Sequence, residues 1–301
     1  KVDPRKAYNE TNRSNNVTVS QRFRFTRKAP VCIVTIPVRT HAPTASNNDP
    51  SLYRMVDMVK RLYPIEDVWL YHQDRDVAET EFNDSFPFFP PWIFGPYEIP
   101  EDDTEILNAL AFRGYMTDDP DECDDIGAVT HYVGLVHANS PTNVSLDAEA
   151  LGLGRVNSDV LWIKLIKPEV LTTTPDDTQL QRFNVLAHEV AHNYGRRHVG
   201  CTTEGNPDSG YPYTNRCLID DRALNNIATY FGFDTVLQRP IAPNSVADYM
   251  AYREPYWTSD YTYKALYAAI STRPNAQTTL NAAGVDDLLA ASNVLYLSGV
   301  V

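Results

Sequence analysis

The chain predicts an α/β fold built on a twisted sheet, and three observations carry that reading. VCIVTIPV (31–38) is a continuous β-branched run, the pattern of a strand buried on both faces. SLYRMVDMVKRLYP (51–64) sets Leu52, Met55, Val56, Val59 and Leu62 at helical spacing, and Pro64 stops the helix. DVWLYHQ (67–73) reads as the next strand, so the order is strand, helix, strand, the crossover of a parallel sheet.

The pattern continues downstream. TEILNALAFRGYM (104–116) is a second helix, THYVGLVHAN (130–139) a third strand, and GRVNSDVLWIKLI (154–166) holds one or two more strands. TQLQRFNVLAHEVAHNYG (178–195) reads as a long amphipathic helix, with Thr178 and Gln181 as a capping box and Phe183, Leu186, Ala187 and Val190 as its apolar stripe. After residue 199 Gly, Pro, Asn and Tyr dominate until YTYKALYAAI (261–270), another helix; DDLLAASN (286–293) reads as a last short helix and VLYLSGVV (294–301) as a strand. Between the regular elements, the aromatic and proline-rich 82–103 is a surface loop on apolar ground or a groove lining. The acidic turn DDPDECDD (118–125) lacks an EF-hand's Gly and terminal Glu, so calcium finds no support there.

Bulk composition narrows the function. The 301 residues, 43% hydrophobic, suffice for a substantial core in one large domain or two lobes around a cleft. A net charge of -13 with no basic run excludes a phosphate-backbone partner. No apolar run reaches the roughly 20 residues of a membrane helix. The opening KVDPRKAYNE is not a signal peptide, so the chain reads as a mature or trimmed form. Five N-x-S/T sequons (Asn9, Asn12, Asn16, Asn83, Asn143) fit secretion. None of Cys32, Cys123, Cys201 and Cys217 forms a C-x-x-C pair, which argues against a cysteine-based zinc site. They are either buried thiols or two disulfides, Cys201 with Cys217 across a short loop and Cys32 with Cys123 left over.

HEVAHNYGRRH (188–198) concentrates three of the seven histidines. On a helix His188 and His192, at i and i+4, share a face and can bind one ion, while Glu189 flanks it as a general base. Gly195 can take the left-handed conformation that ends a helix. The chain then turns, and His198 swings back as a third ligand. Three imidazoles leave one position open, the arrangement of a catalytic zinc, which lowers the pKa of a bound water to roughly 7. The surface-histidine alternative is weak against so long a motif. His41, His72, His131 and His137 read as packed or hydrogen-bonded, not as ligands.

This motif, with Met250 in SVADYMAYREPYW (245–257), resembles the metzincin superfamily of zinc endopeptidases. HNYG, YPY (211–213), DYMAY and YWTSDYTYKAL (256–266) look like secreted bacterial metzincins that include mucin-cleaving members. The resemblance covers roughly 179–270. It implies a mixed twisted sheet with an antiparallel edge strand and two long helices in an N-terminal lobe (30–195), behind a polar extension (1–29). An irregular C-terminal lobe with a helix (196–292) follows, one zinc ion lies in the cleft between, and 293–301 is a terminal strand or the start of a further module. It further implies Met250 as an apolar floor rather than a ligand, and Tyr252 as a group that reaches the metal and the substrate oxyanion. In that group a cysteine after the third histidine pairs with one just after the Met-turn tyrosine. Here Arg253 follows Tyr252, and Cys217 is the substitute partner for Cys201.

The function implied is a secreted zinc endopeptidase acting as a monomer on a protein or glycoprotein. The substrate would lie antiparallel to an edge strand, for which 154–165 is the candidate. Two alternatives stand beside it. One is a mucin-directed protease whose Trp92, Trp162, Tyr211 and Tyr213 stack on sugars. The other is a binding module on an inactive scaffold, against which the intact Glu189 argues.

Overall fold

The computed structural model describes residues 28–38, 44–73, 103–116, 120–140, 151–167, 182–199, 207–213, 215, 217–225 and 230–271. Its frame is a five-stranded sheet. The strands are β1 (Val31–Pro37), β2 (Val68–His72), β3 (Thr130–Val136), β4 (Gly152–Gly154) and β5 (Val160–Lys164), in the spatial order β2-β1-β3-β5-β4. β1 pairs in parallel with β2 and β3, β3 in parallel with β5, and β4 runs antiparallel on β5. The sheet is therefore mixed, with its single reversed strand at one edge.

Side-chain alternation divides the core between the two faces. Ile33, Val133, Leu135, Leu161 and Ile163 pack toward α1 (Pro50–Leu62) and α4 (Val185–Asn193). Val34, Ile36, Tyr132, Val160 and Trp162 pack toward α2 (Asp103–Met116), which contributes Ile106, Leu107 and Leu110. Helix α1 forms where the sequence placed it. Asp49 caps it by accepting from the Ser51 N–H at 2.8 Å, Pro50 stands in its first turn, and Lys60 and Arg61 end it. Just past its end the Tyr63 hydroxyl donates to the Ala187 carbonyl at 2.6 Å, which holds α4 against α1.

Three expectations change. The histidine helix is shorter than 178–195: an irregular tight turn over Arg182–Asn184 leads into α4 at Val185, and Asn184 gives it no side-chain cap. Thr178 and Gln181 lie outside the described residues. Every residue of α4 is buried, so it is not a surface helix with one apolar stripe. It sits against α1, β4 and β5, and its polar side chains (His188, Glu189, His192, Asn193) are turned to buried partners rather than to solvent. Next, the acidic segment folds in part into the short α3 (Asp121–Asp124), because Cys123 is drawn into a disulfide with Cys32 of β1. Finally, the strand in 160–164 is interior, with β3 on one side and β4 on the other, so it offers no free edge; the edge belongs to β4.

C-terminal to the sheet, a short strand pairing gives way to one helix. Ala247–Asp248 pairs in parallel with Tyr256–Trp257, and α5 (Asp260–Ala269) begins at Ser259, whose Oγ accepts from the Thr262 N–H at 3.1 Å. The start of the described chain is tied to the end of α5: Lys28 Nζ donates to Ile270 O at 2.9 Å and the Ala29 N–H to Ser271 O at 2.8 Å. Residues 82–102, with Trp92, and everything beyond 271, including the expected helix at 286–293, lie outside the described residues. No described helix is long and apolar enough to cross a membrane.

The Cys32–Cys123 bridge joins residues 91 apart in sequence. A Cys32→Ala/Cys123→Ala protein is expected to lose about 2–5 kcal/mol of stability. The urea midpoint measures this, and an unchanged midpoint would remove the bridge from the account of stability.

Candidate metal centre

Helix α4 ends as Gly195 requires. Gly195 has φ +81°, its N–H donates to His192 O at 2.8 Å, and the Arg196 N–H donates to Ala191 O at 2.9 Å. These two bonds are the paired closure of a helix terminated by a left-handed glycine. A Cβ there would run into Asn157 Oδ1, so the position needs glycine for space as well as for conformation. The reversal carries His198 back over the helix it has just left.

Three imidazoles meet as a result. His198 Nε2 lies 3.1 Å from His188 Nε2 and 3.1 Å from His192 Nε2. Two of the rings have their tautomer set by backbone. His188 Nδ1 donates to Tyr249 O at 2.8 Å, and His192 Nδ1 donates to Arg196 O at 2.7 Å. A carbonyl can only accept, so each Nδ1 holds the proton and each Nε2 presents a lone pair. Burial pulls the His188 pKa down to about 3 and that of His192 to about 4, and it lowers that of His198 as well. The trio is therefore neutral at pH 7. A proton on His198 Nε2 would serve one neighbour at a time; a cation serves all three lone pairs at once. Two imidazoles on one tetrahedral zinc stand about 3.3 Å apart, given roughly 2.05 Å bonds, so the spacing fits. Among the described residues this is the cluster able to share an ion.

The other histidines are placed elsewhere. His131 Nδ1 bonds Asn193 Oδ1 at 3.1 Å, His72 Nδ1 bonds Thr35 Oγ1 at 2.6 Å, and His137 Nδ1 accepts from the Asn139 N–H at 3.1 Å. His41 lies outside the described residues.

Glu189 follows His188 on α4 and is 6% exposed. Burial raises its carboxyl pKa to about 8, opposed by the Gly154 N–H, which donates to it. That contact depends on how closely β4 lies on α4. A Cβ at Gly154 would stand 2.5 Å from Glu189 O, and one at Gly152 2.9 Å from Glu189 Cγ. The Gly-Leu-Gly of β4 is thus what lets an edge strand rest directly on the helix.

Two supporting residues were not singled out from sequence. Asn193 is a buried amide whose Nδ2 donates to Arg155 O at 2.9 Å and to Val160 O at 3.0 Å, stitching α4 to β5. Its signal was an amide beside His192 in an otherwise apolar run. Asp248 is fully buried two residues before Met250. Its Oδ1 accepts from the Met250 N–H at 2.8 Å, and its Oδ2 accepts from Ser259 Oγ, from the Ser259 N–H at 3.1 Å and from Thr262 Oγ1 at 2.7 Å. Burial pushes its carboxyl above the ordinary value, and these bonds pull the other way. It fastens the Met250 turn to the start of α5. Nothing short of the folded turn marks that aspartate among the chain's many acidic residues.

The turn touches the histidines at three points. Tyr249 O holds His188, Met250 O accepts from the Val199 N–H at 3.1 Å, and the Tyr252 hydroxyl is hydrogen-bonded to His198 Nε2 at 2.8 Å. Met250 is fully buried in one cluster with Ala187, Val190 and Ala191 of α4. Tyr252 is 54% exposed, the one open side chain of the group. Cys217, next to the turn, accepts from the Asp248 N–H at 2.8 Å through its carbonyl and is disulfide-bonded. Cys201 lies outside the described residues. Of the rings expected to stack on sugars, Trp162, Tyr211 and Tyr213 are buried and offer no face.

No family model matches the chain, and no curated protein matches it. Among solved structures it is similar to archaemetzincin from Methanopyrus kandleri, at 15% identity over 57% of this chain and 76% of that one, with a TM-score of 0.29. It is also similar to a zinc-dependent peptidase from Methanocorpusculum labreanum (strain Z), at 16% identity over 56% and 83% of the two chains, with a TM-score of 0.29. At that overlap the chemistry rests on the histidine cluster alone.

Gly195→Ala is expected to cost about 1–2 kcal/mol for its backbone conformation, plus the clash with Asn157, and to weaken zinc binding. Gly127 has φ +62° in open space, so Gly127→Ala should show the conformational cost without the loss of zinc. Parallel melting and zinc titrations compare them; equal zinc affinity in both variants would sever the bend from the site.

Proposed function

We propose that the protein is a secreted zinc-dependent endopeptidase that hydrolyses an extended stretch of a protein or glycoprotein. The observation that carries this is the convergence of three neutral Nε2 atoms next to a buried glutamate and an exposed tyrosine. His188, His192 and His198 would hold one zinc ion, in a cleft between the segments 30–195 and 196–292. When bound, the zinc supplies Lewis acidity, polarising the scissile carbonyl and acidifying an attacking water.

Glu189 takes a proton from that water as its oxygen attacks the carbonyl carbon. It then delivers the proton to the amide nitrogen as the C–N bond breaks. Burial alone raises its pKa to about 8, which favours the protonated form at pH 7; the charge of a zinc ion beside it would draw the group back to the carboxylate that accepts the proton, and the Gly154 N–H aims it. Tyr252 is exposed, its hydroxyl standing 2.8 Å from His198 Nε2, and that hydroxyl donates to the oxyanion that develops on the carbonyl oxygen. The substrate backbone adds to the outer edge of β4 rather than to the strand at 160–164, which is paired on both sides. Disulfide bonding fits an oxidising compartment and hence export. The protein acts as a monomer.

Glu189→Gln should retain zinc and lose about 10²–10⁴-fold in turnover; turnover near the parent's would reject Glu189 as the base. Tyr252→Phe should bind zinc like the parent and lose about 10²-fold in kcat, and an unchanged kcat removes the tyrosine from the mechanism. Digestion of a complex protein mixture, with and without a chelator, tests the function itself. Absence of chelator-sensitive cleavage would leave a metal-binding protein without peptidase activity.

A further inference from the structure

His198 stands on a stretch, 196–199, with no helix and only a one-residue bridge, Val199 with Asp208. A ring on such a stretch keeps its direction only if the backbone beneath it is pinned. Asp208 does this at two points. Its N–H donates to His198 O at 2.7 Å, and its Oδ2 accepts from Arg196 Nη2 at 2.7 Å. Arg196 in turn presents the carbonyl that orients His192 Nδ1 at 2.7 Å. One aspartate thus reaches the backbone of one histidine directly and the ring of another through a single intermediary.

Helix α5 completes the arrangement. The Tyr261 hydroxyl donates to the same Oδ2 at 3.0 Å, and the Arg196 guanidinium lies over the Tyr261 ring, 5.0 Å from its centroid. Oδ1 is occupied by the Gly210 N–H at 2.9 Å, which fixes the carboxylate plane. Charge matters as well as geometry. Arg196 and Asp208 are both largely buried, at 13% and 19% side-chain exposure. Without the carboxylate, an uncompensated cation would sit one residue from the bend and beside a site meant for another cation.

We propose that Asp208, supported by Tyr261, is a positioning residue that holds His198 directly through its backbone N–H and sets the direction of His192 through Arg196. This rests on reading the three histidines as a metal site. Asp208 acts through backbone carbonyls and through the charge of Arg196, not as a ligand.

The test measures zinc affinity by chelator competition, and the visible spectrum of the cobalt(II)-loaded protein, for the parent, Asp208→Asn and Tyr261→Phe. Asp208→Asn should weaken zinc binding by about 10–100-fold and shift the cobalt bands. Tyr261→Phe, which removes one hydroxyl from a partly buried ring, should act in the same direction by a smaller factor. A purely structural role would lower the melting temperature of the metal-free protein while leaving zinc affinity and cobalt spectrum at parental values; that result overturns the proposal. If Asp208→Asn does not fold, Tyr261→Phe decides: parental affinity and an unchanged spectrum overturn it, and a weakened site with shifted bands supports it. A parent that binds neither metal overturns the metal reading and this proposal with it. A parent that binds zinc tightly beside variants that match it overturns the positioning role alone.

Discussion

Three imidazole lone pairs aimed at one another inside a protein set the terms for everything around them. At 3.1 Å a single N–H on His198 reaches one neighbour at a time, whereas a cation between the rings would engage all three lone pairs. The carbonyls of Tyr249 and Arg196 hold two of the rings by their opposite nitrogens. Burial lowers the proton affinity of all three. The cluster is thus better matched to a divalent cation than to a proton.

The scaffold brings these groups together from distant parts of the chain. Helix α4 supplies two rings at one spacing, the bend at Gly195 returns the third, and the Asp248-anchored turn presents Tyr249 O and Tyr252. Each contribution is short and backbone-directed, so the precision of the site comes from fixed carbonyls rather than from long side chains. Asn193 and Tyr63 serve the same end from the other side, tying α4 to the sheet and to α1.

The sheet matters to the site chiefly through its reversed edge. β4 approaches α4 closely enough for the Gly154 N–H to reach Glu189, and no residue with a Cβ could stand at that point without displacing the helix backbone. An edge strand that lies on α4 brings its own backbone to the Glu189 carboxyl and leaves its other side unpaired within the sheet. The peptidase reading draws its substrate geometry from this contact.

Much of this was legible in the chain. The β-branched run 31–38, the spacing of Leu52, Met55, Val56, Val59 and Leu62, and the strand at 67–73 announced the sheet and its crossover, because burial on one or two faces leaves a period in the residues themselves. His188, His192, Gly195 and His198 could be grouped because helical geometry and a left-handed glycine are local properties. The true start of α4 and the interior place of the 160–164 strand were not legible. Each depends on which surfaces the rest of the chain covers. Asn193, Asp208 and Asp248 were invisible for the same reason: an amide or carboxylate acquires its role from partners tens of residues away. By itself the sequence determined the sheet strands, the helices and the trio of histidines, since these rest on periodicity and local dihedral preference. Only the tertiary structure decided which strand is the edge and which polar groups orient the rings, since both are settled by contacts that no local pattern encodes.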